Sequence, residues 1–564
     1  MAPPKISTVT TAMLSHLLVD EKIKRINQAS DSSQDPQIQG LAREALQRTV
    51  ELIGKTNPNH KLFDSTFKQA ISEICVRDNA PDNAESEILE FLNKTNKYSI
   101  DFRPRLTPLA LPPNEDPNQS QPEQVEESPP IIDPEKYANY SEAQPIPEEI
   151  LSADITAPHT IPYDQYLDRR ISGIIRSLLV QHSVPVEIFA GSQEDLENFY
   201  RVQEFTCLAE LKTASSIKYY LFKNPKDGTS KIVIHGISND SKLRHVLLQL
   251  KYSGIDLEGV IVRGRIDEAI EHNIQALETA LDTCSAPLEL GIVGSRWQII
   301  AELAELLYPA EFIDLPEQEK YDIAIEILEN NHNLQTIEIG GGVFKFSYME
   351  VYLRNGQRKG IIAFRMPNGN LSSYAVKELL NRKIANIIMT GAGGSLSSRR
   401  TLGSYQLIDS SRYLGETVSS KELNIMPLPL PEDFPVHEEG RNVTVFSPLE
   451  ETKEWLRQVR RNGNTSVDVE TFHILQTVAR HEHQPQILPG IFTSDVVVGK
   501  GETHQPLVEK IDENTAWRYL ASLLLRSFDY IDLARENLFV SPNVPAIVKI
   551  QVDNGSISEI MVQS

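Results

Sequence analysis

The chain has 564 residues and a formal net charge of −23, with 40% hydrophobic and 24% charged residues. That length exceeds one ordinary hydrophobic core, so several domains are expected. The acidic balance argues against nonspecific nucleic-acid binding and against an anionic membrane surface, since both need a positive field; a small anionic ligand stays open, because local arginines can line a pocket.

Cys75, Cys207 and Cys284 match no zinc spacing, and their odd number argues against a disulfide framework. The N-terminal MAPPKISTVTTAMLSHLL lacks the pattern of a secretory leader. No apolar run approaches the roughly 20 residues that span a bilayer. A cytoplasmic protein is expected.

Residues 1–100 read as a small helical domain. Leu41, Ala45, Val50 and Ile53, then Phe63, Phe67, Ile71 and Ile74, fall near helical spacing. Residues 101–163 are acidic and proline-rich, as in PPNEDPNQSQPEQVEESPP. They bury too little apolar surface to offset ordering and read as a linker. Residues 164–285 return to α/β patterning. KIVIH from Lys231 and GVIV from Gly259 are nearly continuous apolar runs, the mark of strands covered on both faces. A helix is expected over 241–252. His235 and His245 lie near element ends and read as structural.

At Pro287 the pattern restarts. Residues 288–293 form a strand, Gly294-Ser295-Arg296 a tight turn, and 297–307 a helix. Such a strand–turn–helix start offers unpaired amides to an anion. Strands at 348–354 and 359–364 pair through Asn355-Gly356. A helix over 372–381 leads to ANIIMTGAGGSLSS, read as a short buried strand at 386–389 running into a glycine-rich loop at 391–394. Such a loop lets backbone N–H groups approach a ligand closely. Strands follow at 402–409 and 442–446, with a helix over 450–461 that starts near Thr452. Glu470 is carried on the segment 467–478, and the strand 487–494 ends at Ser494-Asp495. A long helix over 515–533 precedes an extension at 546–564.

Four of these segments in order resemble the nucleoside phosphorylase and nucleosidase superfamily. LELGIVGSRWQIIAEL is similar to its first strand and anion turn, and NIIMTGAGGSLSSRRTLGSYQLID to its central strand and glycine loop. VDVETF is similar to its glutamate segment, and FTSDV to its aspartate segment. The resemblance covers about residues 288–533. It implies a three-layer α/β domain with a central mixed sheet over residues 286–545, following the smaller α/β domain and the helical N-terminal domain. It also implies cleavage of the N-glycosidic bond of a purine nucleoside, by phosphorolysis or hydrolysis. By the same resemblance Glu470 accepts hydrogen bonds from ribose hydroxyls, and Asp495 gives a proton or hydrogen bond to the leaving base. Thr390, Gly391, Ala392, Val469 and Ser494 line the sugar and base. Ser295, Arg296 and Arg365 hold phosphate. No metal or organic cofactor is implied; phosphate is the co-substrate of a phosphorylase. Self-association is implied as well, and the N-terminal half is open to a protein partner.

The residues also depart from that family. Trp297-Gln298-Ile299 offers no carboxylate to activate water. Met389 stands where hexameric phosphorylases hold an arginine, and Gly403-Ser404 replaces a Gly-Asp pair. An inactive fold retained for ligand binding or scaffolding is the second reading. The residues alone also allow 391–394 to be a packing turn, Glu470 a surface acid, Asp495 a cap, and Arg365 a solvated or salt-bridged arginine. A dinucleotide loop lacks its third glycine, where Leu396 stands. His481 and His483 are two apart, do not share a helix face, and read as loop residues.

Overall fold

The computed structural model describes residues 11–31, 33, 35–53, 60–78, 80–81, 83–95, 100–102, 134–157, 159, 163–171, 173–211, 217–294, 300–301, 304–305, 308–312, 315, 317–340, 342–352, 357–397, 404–426, 436–497, 505–506, 547–553 and 556–563. The chain divides into two compact units. One takes residues 1–155, 163–237 and 246–269; the other takes 156–162, 238–245 and 270–564.

In the first unit, helices α1 (Thr11–Asp31), α2 (Pro36–Ile53), α3 (His60–Arg77) and α4 (Ala84–Thr95) bury one apolar face each. Phe63, Phe67, Ile71 and Ile74 of α3 are all fully buried, as their spacing requires. The unit also holds a seven-stranded sheet. Its strands are β1 (Ile100–Phe102), β2 (Ala143–Gln144), β3 (Val186–Phe189), β4 (Thr206–Leu211), β5 (Lys218–Lys223), β6 (Ser230–His235) and β7 (Ile261–Arg263). The order is β1-β4-β5-β6-β3-β7-β2, with β3 parallel to both β6 and β7. Glu187 of β3 is buried. Burial alone would raise its carboxyl, but ion pairs with Arg263 and Lys231 and the Tyr200 hydroxyl outweigh that and hold it low.

The second unit is built on a twelve-stranded mixed sheet. Its strands are β8 (Leu288–Gly294), β9 (Gln335–Ile339), β10 (Phe344–Tyr352), β11 (Arg358–Arg365), β12 (Asn386–Ser395), β13 (Tyr405–Tyr413), β14 (Glu416–Ser419), β15 (Val436–Thr444), β16 (Ser466–Asp468), β17 (Gln486–Leu488), β18 (Gly490–Val496) and β19 (Gln505–Pro506). The main path runs β19-β18-β13-β15-β16-β12-β8-β11-β10-β9, and both β17 and β18 also pair with β12. β10 and β11 form the antiparallel hairpin expected around Asn355-Gly356, whose turn lies outside the described residues. The α/β class with a central mixed sheet holds.

Three local expectations are corrected. Residues 391–394 are not a loop: β12 runs unbroken through them to Ser395. Partners on both sides keep the backbone extended there, because β18 pairs with 391–395 while β16 pairs with Gly394 and Ser395. Next, the strand expected at 487–494 is divided at Pro489, although β17 and the first half of β18, as far as Thr493, keep one register against β12. Finally, Glu470 is not a surface acid: it is buried, between a strand and a helix. β16 ends at Asp468, and the helix Thr471–Arg480 begins one residue after Glu470.

The strands expected at 402–409 and 442–446 are observed as β13 and β15, shifted to Tyr405–Tyr413 and Val436–Thr444. Thr452 caps the helix Lys453–Arg461, its hydroxyl accepting from the Trp455 N–H at 3.1 Å. The helix expected at 515–533 lies outside the described residues. Among the described residues, no helix is long and apolar enough to cross a membrane.

Candidate active site

The candidate residues Arg365 and Thr390 come into one row where the parallel strands β8 and β11 end, while β12 continues to Ser395. In β11, β8 and β12, Arg365 is in register with Gly294, and Gly294 with Thr390. With strands about 4.8 Å apart, this row spans about 10 Å. Ligands of α/β sheets gather at such strand ends. Thr390 is fully buried and its hydroxyl donates to the Val293 carbonyl at 3.4 Å. A side chain at Gly294 would strike it, since a Cβ there would stand 2.1 Å from the Thr390 Oγ1. Ser295 and Arg296, next along the chain, lie outside the described residues, as does Trp297-Gln298-Ile299.

Beyond Thr390 the glycines of β12 admit close neighbours. A Cβ on Gly391 would meet Met366 Cε at 2.6 Å; on Gly393 it would meet Ile491 Cδ1 at 2.7 Å and the Val467 carbonyl at 2.9 Å. Between them, Ala392 is exposed. Gly394 is paired on one side with Val467 and on the other with Asp495. The ladder bulges between Gly393 and Gly394, so that Asp495 rather than Ser494 stands opposite Gly394. Bulges commonly re-aim a side chain in this way. The Asp495 Oδ2 lies 3.3 Å from where a Gly394 Cβ would be, and the Ser494 hydroxyl donates to Asp495 Oδ1 at 2.7 Å. Both Ser494 and Asp495 are partly exposed.

Val467 and Asp495 flank the same glycine of β12 from opposite sides, and Glu470 follows Val467 by three residues, within about 10 Å along the chain. Glu470 is buried, and burial, together with the nearby Asp468 carboxylate, pushes its carboxyl up to about 8. Its Oε1 accepts the Gly369 N–H at 3.3 Å. Asp468 is itself raised by burial, but it is well satisfied. It accepts from Asn442 Nδ2 at 2.8 Å, from Thr444 Oγ1 at 3.0 Å, and from the Thr471 N–H and hydroxyl. This network fixes the corner that holds Glu470. Val469 packs partly buried against the cluster of Leu396, Val443 and Val467.

The turn after Arg365 closes the arrangement. Met366 lies against Gly391, and Gly369 reaches Glu470. Gly369 has φ +56°, and a Cβ there would sit 3.0 Å from Ser241. The Asn239 side chain donates to the Asn368 carbonyl at 2.7 Å. The segment Ser238–His245 thus packs on this turn. Arg244 stacks over the Phe446 ring at 4.3 Å, and His245 Nδ1 meets the Ser447 hydroxyl at 2.7 Å. The Phe446 ring in turn meets Tyr413. Sequence reasoning missed this segment, because only tertiary packing joins Ser241 to Gly369.

His481 and His483, read as loop residues, stand between the helix Thr471–Arg480 and β17. His483 Nε2 contacts the Ile384 carbonyl at 2.6 Å, and His481 Nε2 contacts Asn381 at 3.3 Å. Met389 is fully buried within β12 and cannot stand in for a phosphate arginine. Among the described residues, no group of three or more His, Cys, Asp or Glu side chains could hold a metal.

No family model matches the chain, and no curated protein matches it. Solved structures do. One is a putative methylthioadenosine nucleosidase from Weissella paramesenteroides, at 14% identity and a TM-score of 0.30, covering 44% of this chain and 99% of that one. A second is the futalosine hydrolase of Helicobacter pylori, at 12% identity and a TM-score of 0.28, covering 43% and 98%. A third is the Schistosoma mansoni purine nucleoside phosphorylase in complex with adenosine, at 13% identity and a TM-score of 0.29, covering 47% and 97%.

Proposed function

We propose that the second unit cleaves the N-glycosidic bond of a purine nucleoside. The observation that carries this reading is the pairing at Gly394. A strand position without a side chain has Asp495 on one flank and Val467 on the other, with the buried Glu470 three residues after Val467. Breaking the bond develops negative charge on the base and positive charge on the sugar. Asp495 neutralises the first by giving a proton or hydrogen bond to the ring, which contributes roughly 10²- to 10⁴-fold. Glu470 accepts ribose hydroxyls and, once ionised, favours the cationic sugar. Ala392, Val469 and Ser494 line the sugar and base, with the bare backbone of Gly391 and Gly393 beneath them. Thr390 supports that floor from within the sheet. Arg365, with Ser295 and Arg296, serves a phosphate nucleophile.

The test is base release from adenosine, inosine, guanosine and methylthioadenosine, with and without phosphate, using the full chain. Release that requires phosphate supports a phosphorylase; release without it supports a nucleosidase. The buried Met389 favours a second reading, a fold that binds nucleosides without cleaving them. Nucleoside binding with no release from any of the four would establish that reading and reject the first.

A further inference from the structure

The helix Lys453–Arg461 turns Leu456 and Val459 into the core, where both are buried. At about 100° per residue, Lys453, Arg457, Arg460 and Arg461 then share one flank of the helix, within an arc of about 100° and over a length of about 12 Å. The three arginines are exposed and Lys453 is partly exposed. Arg441 extends this basic stripe at the helix's C-terminal end. It is exposed, and its Nη1 lies 3.3 Å from where a Gly463 Cβ would be.

The helix itself does not account for these charges. Its carbonyl end favours Arg460 and Arg461, but its amide end disfavours Lys453. Arg457 pairs with Glu454, the one acid of the helix. Among the described residues, Lys453, Arg460, Arg461 and Arg441 make no ion pair. In a chain of net charge −23, such a stripe stands ready for an acidic partner.

The complementary charge is written in the same sequence. Residues 114–133 hold Glu115, Asp116, Glu123, Glu126, Glu127 and Asp133, and no Lys or Arg. They lie between β1 and β2, the two edges of the seven-stranded sheet. At about 4.8 Å per strand those edges are about 29 Å apart. The chain between Phe102 and Pro134 can extend to about 100 Å. Its length thus suffices to meet another molecule while β1 and β2 stay paired.

We infer that the basic stripe of the helix Lys453–Arg461 docks residues 114–133 of a second copy of this chain. Every copy carries both charges, so the association is head-to-tail. Exposed charges attract weakly and are screened by salt, which makes the contact reversible. The inference is independent of the nucleoside reading.

Sedimentation velocity of the full chain, at salt from about 0.05 M to about 0.5 M, tests the contact. The wild type is expected to self-associate at low salt and to come apart as salt rises. One variant carries Arg457→Glu and Arg461→Glu, the other Glu126→Lys and Glu127→Lys. Each alone should associate about 10-fold more weakly or worse, because like charges now face each other. An equal mixture of the two should associate again, since each supplies the charge the other has lost. Thermal unfolding of both variants separates lost contact from lost fold. A wild type that stays single at low salt overturns the inference. So does association that neither variant weakens, or a mixture that remains apart.

Discussion

Gly369 donates its backbone N–H to the Glu470 carboxyl across 3.3 Å, although the two lie 101 residues apart in sequence. That bond favours the ionised form, yet burial and Asp468 prevail and leave the group near 8. At neutral pH Glu470 is therefore largely protonated. Ribose hydroxyls that donate to it would strengthen the ionised form. Nucleoside binding near pH 7 is expected to release a proton from the protein, read as a binding enthalpy that varies with the ionisation enthalpy of the buffer. No such variation would mean that Glu470 does not meet the sugar.

Stability should record the same group. The folded protein keeps the Glu470 proton up to about pH 8, whereas an unperturbed glutamate loses it near 4.5. Between those values folding takes up a proton. The group's contribution is thus complete at low pH and declines as pH rises toward 8. Glu470→Gln removes the titration. Its melting temperature relative to wild type should rise steadily from pH 5 to pH 8; parallel profiles would show that Glu470 is not raised.

Asp495→Asn is expected to slow base release by roughly 10²- to 10⁴-fold, the span of general acid catalysis, with nucleoside affinity kept. Steady-state turnover and titration by the same nucleoside measure the two effects. Unchanged turnover would remove Asp495 from the chemistry.

The glycines of β12 should differ in their tolerance of a methyl group. At Gly391 the obstacle is Met366 Cε, the end of a flexible chain, whereas at Gly393 it includes the Val467 carbonyl, which is backbone. Gly393→Ala should cost about 1–3 kcal/mol by overpacking, and Gly391→Ala distinctly less. Urea midpoints decide between them; equal losses would contradict the packing described.

Thr444→Val is expected to destabilise by roughly 1–3 kcal/mol for each partner left unsatisfied. The Thr444 hydroxyl both donates to Asp468 and accepts the Phe472 N–H at 3.0 Å. Chemical denaturation measures the loss. A neutral outcome would mean that water replaces the hydroxyl.

Much of the fold could be read from local pattern. KIVIH and the first half of β12 are continuous apolar runs, and Thr452 is a plain helix cap. The second half of β12 was hidden, because glycine has no intrinsic reason to be extended and gains it here only from β16 and β18. Glu470 and Asp495 were visible as residue types; the pairing of Gly394 with both Val467 and Asp495 was not, since sheet register depends on distant pairing. The bulge that sets Asp495 opposite Gly394 has no signature in FTSDV. Ser241 could not be connected to Gly369 at all, because only docking of the helix start on the 366–369 turn joins them.

The bare stretch of β12 also bears on how this protein could be redesigned. Peptide groups shared by every sequence cannot discriminate one heterocycle from another, and the tight neighbours at Gly393 and Gly394 forbid adding side chains there. On the proposed function, selectivity would be written into the bordering segments, at positions such as Val469 and Ser494. Those are the places where directed variation has room to change preference without disturbing the sheet.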